Sequence, residues 1–293
     1  MSIFVNSLAF LGESLVYNHE ELSAYLSLPP KTIIFKLTDP NFYVAGALSG
    51  GFPGAIIERL DSVNGIFKVY APQTDWSMFF HGMESALEQI IAFNVSGITN
   101  ISELCDACHE LTSVTNIYNT NLITSTVNMF RWCDYLKHVD YFDTSNVTDM
   151  EAMFQGAASL ENIPLFNTSK VTSMKYMFAN QHEASGAFKP PYPVTKLIIP
   201  NFDTSSVTNM FGMFWGTTRP FDLPTHLNYS KVENVSYMFA DTYNANPDTI
   251  YPMYNILRIL PLLIEYREAF RACGDDTDAS IWHSLPASWG GLA

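Results

Sequence analysis

Cys105-Asp106-Ala107-Cys108-His109 is the one short stretch of this chain whose residue types and spacing spell a defined chemistry, the C-x-x-C-H arrangement that tethers a c-type haem. With Cys133 and either His109 or His138 the same thiols also make the donor set of a zinc site. A third reading is packing. Cys108 stands ten residues after Ile98, and Cys133 stands ten after Ile123, so both share one position of a recurring unit. A free Cys serves well there as a small buried hydrophobe. Haem attachment also requires export, for which the N-terminal residues show no basic segment, apolar run and cleavage site. Packing is the reading preferred, and no metal or cofactor is expected. A Cys108–Cys133 bridge stays open for a chain that leaves the reducing compartment.

Two further columns hold polar groups at fixed spacing. Asn94, Asn119, Asp143, Asn167, Asp203 and Asn228 each lie four residues before a β-branched anchor. Carboxylates and amides in a row suit calcium or a sugar, but the mixture of Asp with neutral Asn suits local turn capping better. Thr99, Thr124, Thr148, Thr172 and Thr208 directly follow their anchors and form an expected exposed column. Alternation along a strand turns them away from the buried anchor, so Thr148, Thr172 and Thr208 are candidates for partner contact. Elsewhere the chemistry is thin. Gly46 to Gly51 lacks the Lys and Ser/Thr of a phosphate loop, and Asp275-Asp276-Thr277-Asp278 lacks the distant Glu of a calcium loop. The seven His form no metalloprotease pair, and no nucleophile elbow is present. No catalytic residue is assigned, and the chain is expected not to be an enzyme.

The elements that position these columns come from an internal repeat. Phe142-Asp-Thr-Ser-Asn-Val-Thr-Asp-Met-Glu-Ala-Met-Phe154 recurs as Phe166 to Phe178 and Phe202 to Phe214, with weaker copies at Phe93 to Cys105, Tyr118 to Phe130 and Leu227 to Phe239. The anchors Ile98, Ile123, Val147, Val171, Val207 and Val232 are spaced 25, 24, 24, 36 and 25 residues apart. A partial copy over Met78 to Ile90 opens the array. Thr-Ser-x-Val-Thr suits entry to a short strand, and Met-x-x-Met-Phe puts apolar groups on one face of a short helix. A Leu-x-x-Val or Leu-x-x-Ile, as at Leu136 to Val139 and Leu160 to Ile163, suits a second buried strand. One unit cannot bury its own apolar face, so copies must stack. Eight of the twelve Met fill the two Met positions.

The F-x-T-S-x-V-T-x-M-x-x-M-F unit resembles the BspA-type leucine-rich-repeat surface proteins, also known as a lipoprotein repeat of unknown function, over roughly Trp76 to Tyr243. The resemblance implies an α/β leucine-rich-repeat-like solenoid of about seven 24–25-residue coils and a non-enzymatic role in adhesion or protein contact. Similar repeats occur in bacteriophages and large DNA viruses, whereas many cellular members carry an export signal or anchor.

The flanks complete the expectation. Residues 1–70 read as an α+β N-terminal flank, 71–245 as the solenoid and 246–293 as a helical C-terminal cap. His19 to Leu26 suggests a helix, Thr32 to Leu37 and Gly65 to Tyr70 suggest strands, and Tyr254 to Phe270 an amphipathic helix broken at Pro261. The array is interrupted by an insertion from His182 to Pro193, whose Lys189 and Tyr192 are further candidates for partner contact. Asp plus Glu number 29 against 15 Lys plus Arg, a net charge of −14, which argues against nucleic acid and anionic membranes as partners. The longest apolar stretch, Ile256 to Ile264, is too short to span a bilayer. Together these features lead to the expectation of a structural component of a virus particle, bacteriophage first, made in the host cytoplasm. It would contact capsid or tail proteins and itself. The alternative is a bacterial surface adhesin for host protein or glycan.

Overall fold

The computed structural model describes residues 10–11, 14–15, 28–48, 51–180, 196–217, 219–242, 245–273 and 285–290. A short hairpin, β1 (Phe10–Leu11) with β2 (Ser14–Leu15), stands apart from a seven-stranded mixed sheet. That sheet begins with β3 (Thr32–Leu37), whose Ile33, Phe35 and Leu37 are fully buried, as the β-branched and aromatic run demands. β3 pairs antiparallel with β5 (Ile66–Tyr70) on one side and with β6 (Leu87–Asn94) on the other. β4 (Ile56–Asp61) adds the outer edge, antiparallel to β5. Beyond β6 the pairing becomes parallel, through β7 (Ser113–Val114), β8 (Ile117–Tyr118) and β9 (His138–Val139). Both flank strands expected from the sequence are present; the helix expected over His19 to Leu26 lies outside the described residues.

The fold class expected for the repeat needs correction. Apart from the short β1–β2 pair, the described residues contain one seven-stranded mixed sheet and two α-helices, α1 (Val44–Leu48) and α2 (Pro247–Leu257), and not the expected α/β leucine-rich-repeat-like solenoid of about seven 24–25-residue coils. The Met-x-x-Met-Phe segments are turns. Their backbone shows why: Met78, Glu103, Asn128, Ala152, Tyr176, Gly212, Tyr237 and Glu268, one per copy, all have positive φ. A left-handed residue every turn breaks a right-handed helix. The alternate N–H groups then divide their bonding. In one copy Met153, Gln155 and Ala157 donate to carbonyls three residues back, while Ala152, Phe154 and Gly156 donate to Lys175, Met177 and Ala179 of the next copy at 2.8–3.0 Å. A helical face and this edge place apolar groups at similar spacing, which is why the sequence pattern reads as a helix.

Copies are held in register by single parallel bridges, Asp149 to Ser173, Ser173 to Asn209 and Asn209 to Asn234 among them. Inside, Phe130, Phe154, Phe178, Phe214, Phe239 and Phe270 stack ring on ring at 5.5–6.0 Å. Each such pair adds on the order of 0.5–1.5 kcal/mol beyond burial. The Met of both slots are buried beside this spine, and the Leu136–Val139 segment carries β9 as expected, whereas Leu160 to Ile163 is not a strand.

The C-terminal helical cap is corrected as well. α2 begins at Pro247, capped by the Asn246 side chain, and ends before Pro261. Residues 258–273 then rejoin the repeat: Val235, Tyr237, Phe239 and Asp241 donate backbone N–H groups to Glu265, Arg267, Ala269 and Arg271. This last copy escaped the sequence reading because α2 separates it from its predecessor, and Tyr266 and Ala269 stand where Met is usual. The opening copy likewise starts at Asp75, with Trp76, Phe79 and Phe80 in the buried slots, three residues before Met78, where the partial copy over Met78 to Ile90 was expected to open.

Candidate interaction surface

The exposed Thr column is where the sequence placed it, with Thr99, Thr124, Thr148 and Thr172 exposed and Thr208 half-buried. Each rung bonds its neighbour. Thr148 donates both N–H (2.8 Å) and hydroxyl (3.3 Å) to the Thr124 carbonyl, Thr172 does the same to Thr148, and Thr208 to Thr172. The hydroxyl hydrogens are therefore engaged internally, and what the column offers outward is methyl groups and oxygen lone pairs. A second Thr column, unremarked in the sequence, lies inside: Thr120, Thr144, Thr168 and Thr204 are buried, and each hydroxyl donates to a carbonyl of the following copy, Thr144 to Asn167 at 2.9 Å. Lys189 and Tyr192 lie outside the described residues, with the rest of the insertion.

The Asn/Asp column caps turns. Asp143, Asn167, Asp203 and Asn228 accept the N–H two residues on from Ser145, Ser169, Ser205 and Ser230 at 2.8–3.2 Å. Hydrogen bonds from the Ser205 hydroxyl and N–H hold the Asp203 carboxyl below its ordinary range. A parallel column does the same six residues further on, through Asp75, Asn100, Asp149, Asn209 and Asn234.

Cys105, Cys108 and Cys133 are fully buried and all four Cys are free thiols. The Cys133 thiol donates to the Cys105 carbonyl at 3.0 Å. Burial pushes the thiols of Cys105 and Cys133 up, with the neighbouring sulfur groups adding to it. Metal ligation and nucleophilic chemistry need the thiolate, which this environment disfavours. His109 is engaged elsewhere: its Nδ1 meets Oδ2 of the buried Asp134 at 2.6 Å. Among the described residues no three His, Cys, Asp or Glu converge on a common point.

An aromatic ridge that the repeat motif does not announce lies on the turn side. Tyr176, Phe211, Trp215 and Tyr237 occupy non-motif positions and are half-buried. Trp215 stacks on Tyr237 at 4.9 Å and on Tyr176 at 6.2 Å, and Arg271 caps the row 5.3 Å from the Tyr237 ring. Trp215 Nε1 donates to Asp241 (2.9 Å), and Arg271 Nη1 to Glu268 (2.8 Å). The hydrogen bonds it donates to the Asp241 carboxylate hold the Arg271 guanidinium even more firmly protonated than usual. Tyr176, Trp215 and Tyr237 lie nearly face to face along the array, with 19–29° between ring planes, while Phe211 meets them edge-on or tilted. That is a preorganised aromatic and Arg surface of the kind that anchors protein contacts; a sugar platform would need open ring faces. The signal available in the sequence was Tyr176 and Tyr237 at the left-handed position, with Phe211 one residue before it and Trp215 three residues after it in the copy between them.

This is a repeat protein, β-rich and turn-rich, in which motif residues bond copy to copy and the positions between them make the surface. The chain belongs to the family described as "Mycoplasma protein of unknown function, DUF285", matched over residues 74–190 and 126–253, more than half its length. That family is related to the BspA-type repeat proteins. No curated protein and no solved structure matches the chain. No helix of the described residues is long and apolar enough to cross a membrane.

Proposed function

We propose that the chain acts by contact and not by catalysis, as a structural and interaction component of a virus particle, bacteriophage first, bound to capsid or tail proteins. The carrying observation is the division of labour in the repeat: both Thr columns and both Asx columns are engaged in rung-to-rung or turn bonds. The Cys are buried as thiols, and the outward surface is a rigid aromatic and Arg ridge beside a methyl-bearing Thr column. Fractionation of the native source on a density gradient, with mass spectrometry for this chain, tests the reading. Sedimentation with particles at constant ratio to a major capsid or tail protein supports it; recovery only with cell envelopes overturns it.

The second reading, a bacterial surface adhesin, is favoured by one finding, the bacterial genus in the family's description. Protease shaving of intact cells separates the two, since only an adhesin is cut from the outside.

A further inference from the structure

Along the turn edge the backbone bonds between copies all run one way. The carbonyls of Asp149, Glu151, Met153 and Gln155 accept the N–H groups of Thr126, Asn128, Phe130 and Trp132 in the copy before them, at 2.7–3.0 Å. The array therefore ends in N–H groups at its last copy and in carbonyls at its first. The last copy is closed, because Glu268 and Phe270 donate their N–H groups to the carbonyls of Ser288 and Trp289. The first copy is not. The carbonyls of Asp75, Ser77, Phe79 and His81, the counterparts of the four that accept in the copy from Asp149, have no donor among the described residues. Aligned peptide dipoles leave partial negative charge on such a row, as they do on the last carbonyls of a helix.

These four residues line a cavity of about 560 Å³, whose walls also carry Ala47, Phe52, Gln73 and Met78. Phe52 packs on Trp76 (5.8 Å) and Phe79 (4.8 Å) and makes the apolar side. The polar side is rich in acceptors. Gln73 Oε1 is buried without a hydrogen-bond partner, while its amide nitrogen donates to the Pro53 carbonyl (2.7 Å). An acceptor held out of water costs about 1–3 kcal/mol until a donor meets it. Asp75 adds a full negative charge. The N–H groups of Ala47, Gly51, Phe52, Ser77, Phe79 and His81 are all engaged within the chain, so the walls offer few donors in return.

We propose that this cavity binds a small organic cation, an ammonium or guanidinium group carried on an apolar body. The cationic head donates to Gln73 Oε1 and to the carbonyl row, and the body lies against Phe52, Met78 and Phe79. Three features select that class. The walls present acceptors in excess, so the ligand must donate. Asp75 and the carbonyl dipoles favour positive charge, which strengthens each such bond. The volume suits a whole small molecule, whereas a single Lys or Arg side chain would leave most of it empty. A metal ion fits less well: among the described residues no three His, Cys, Asp or Glu converge, and carbonyls strung along an edge do not close round one point. The inference stands apart from the particle reading, because ligand binding is measured on the isolated chain and holds or fails whatever the chain's destination.

Isothermal titration calorimetry of the full chain with probes of similar shape tests it. Phenethylamine and phenethylguanidine are the cations, phenethyl alcohol the neutral analogue and phenylpropionate the anion. The cations are expected to bind, and the alcohol and the anion to bind more weakly by about tenfold or more. Asp75→Asn removes the charge but keeps the turn cap, which Asn100, Asn209 and Asn234 make in their own copies. It weakens cation binding about tenfold. Ala47→Phe fills the cavity and abolishes binding. Circular dichroism shows that each variant is folded. Cations that do not bind, cations that bind no tighter than the alcohol, or a folded Asp75→Asn or Ala47→Phe protein that binds them as the wild type does overturns the proposal.

Discussion

Gly156→Ala tests the close stacking of the turn edge directly. Gly156 has a φ of +77°, and a methyl group built there overlaps the indole of Trp132 in the neighbouring copy, closer than real Cβ contacts come. Two costs therefore combine. A non-Gly residue in the left-handed region costs about 1 kcal/mol, and forcing the indole aside in a packed neighbourhood costs about 2 kcal/mol more. The sum, about 3 kcal/mol, corresponds to a fall in Tm of roughly 6–12 °C for a chain of this size. Urea unfolding gives the free energy. Hydrogen exchange localises it, because the Gly156 and Trp132 N–H groups bond to the next copy and should lose protection first. Gly54→Ala is the control: its φ is +80°, but the nearest atom, on Pro72, is at an ordinary 3.6 Å, so only the conformational cost of about 1 kcal/mol applies. In a Trp132→Ala background most of the additional cost of Gly156→Ala should vanish, a coupling of about 2 kcal/mol in a double-mutant cycle. A Gly156→Ala no costlier than Gly54→Ala, or a cycle additive within about 0.5 kcal/mol, would refute the reasoning.

Thr144→Val should destabilise by about 1–2 kcal/mol in urea unfolding, since it leaves a carbonyl without its buried donor, whereas the exposed Thr148→Val should cost under about 0.5 kcal/mol. Equal costs would mean the two Thr columns are not divided into an inner structural one and an outer one. Cys273 is pushed up to about 12 by burial, from an ordinary 9.0. Its folded form holds the proton more tightly, so the stability it contributes is complete below about pH 9 and is lost as pH rises toward 12, by up to about 1.4 kcal/mol per pH unit. The check is urea midpoints across that window in wild type and Cys273→Ala, where the variant should show the shallower decline. Trp289→Ala removes the ring stacked on Tyr266 at 4.5 Å, and should cost about 3 kcal/mol, with exchange protection lost first in residues 263–273. Protection lost evenly along the chain would argue against Trp289 as a local cap.

Much of the repeat was legible because its anchors are chemically redundant. A β-branched residue, two Met and a Phe recur at fixed offsets, and each recurs because the same groove must be filled in every copy. The secondary structure was less legible for the same reason. Met150, Met153 and Phe154 face one side whether residues 150–154 form a helix or an alternating edge, so apolar spacing alone does not choose between them. The deciding property is the positive φ at Ala152 and its counterparts, and an Ala, Tyr or Glu at that position announces nothing. Asn128 and Gly212 do favour that conformation, but two of eight positions make a faint signal. The same limit hid the copy around Phe270: with Tyr266 and Ala269 in the Met slots, an apolar run after Pro261 reads as amphipathic helix.

The candidate surface was legible only in its least informative part. A motif is visible because its residues are repeated, and repetition is what copy-to-copy bonding requires. Thr148, Thr172 and Thr208 were found for that reason, and their N–H and hydroxyl groups turn out to bond each other's carbonyls. Residues that distinguish one partner from another are under no such constraint and vary from copy to copy. Ala152, Tyr176, Gly212 and Tyr237 occupy one column, and Gln155, Ala179, Trp215 and Ala240 another. Only where Tyr176, Phe211, Trp215 and Tyr237 coincide do these variable positions build a ridge. Specificity in such an array therefore resides in the positions a consensus omits, and membership of the family carries over the scaffold without the partner.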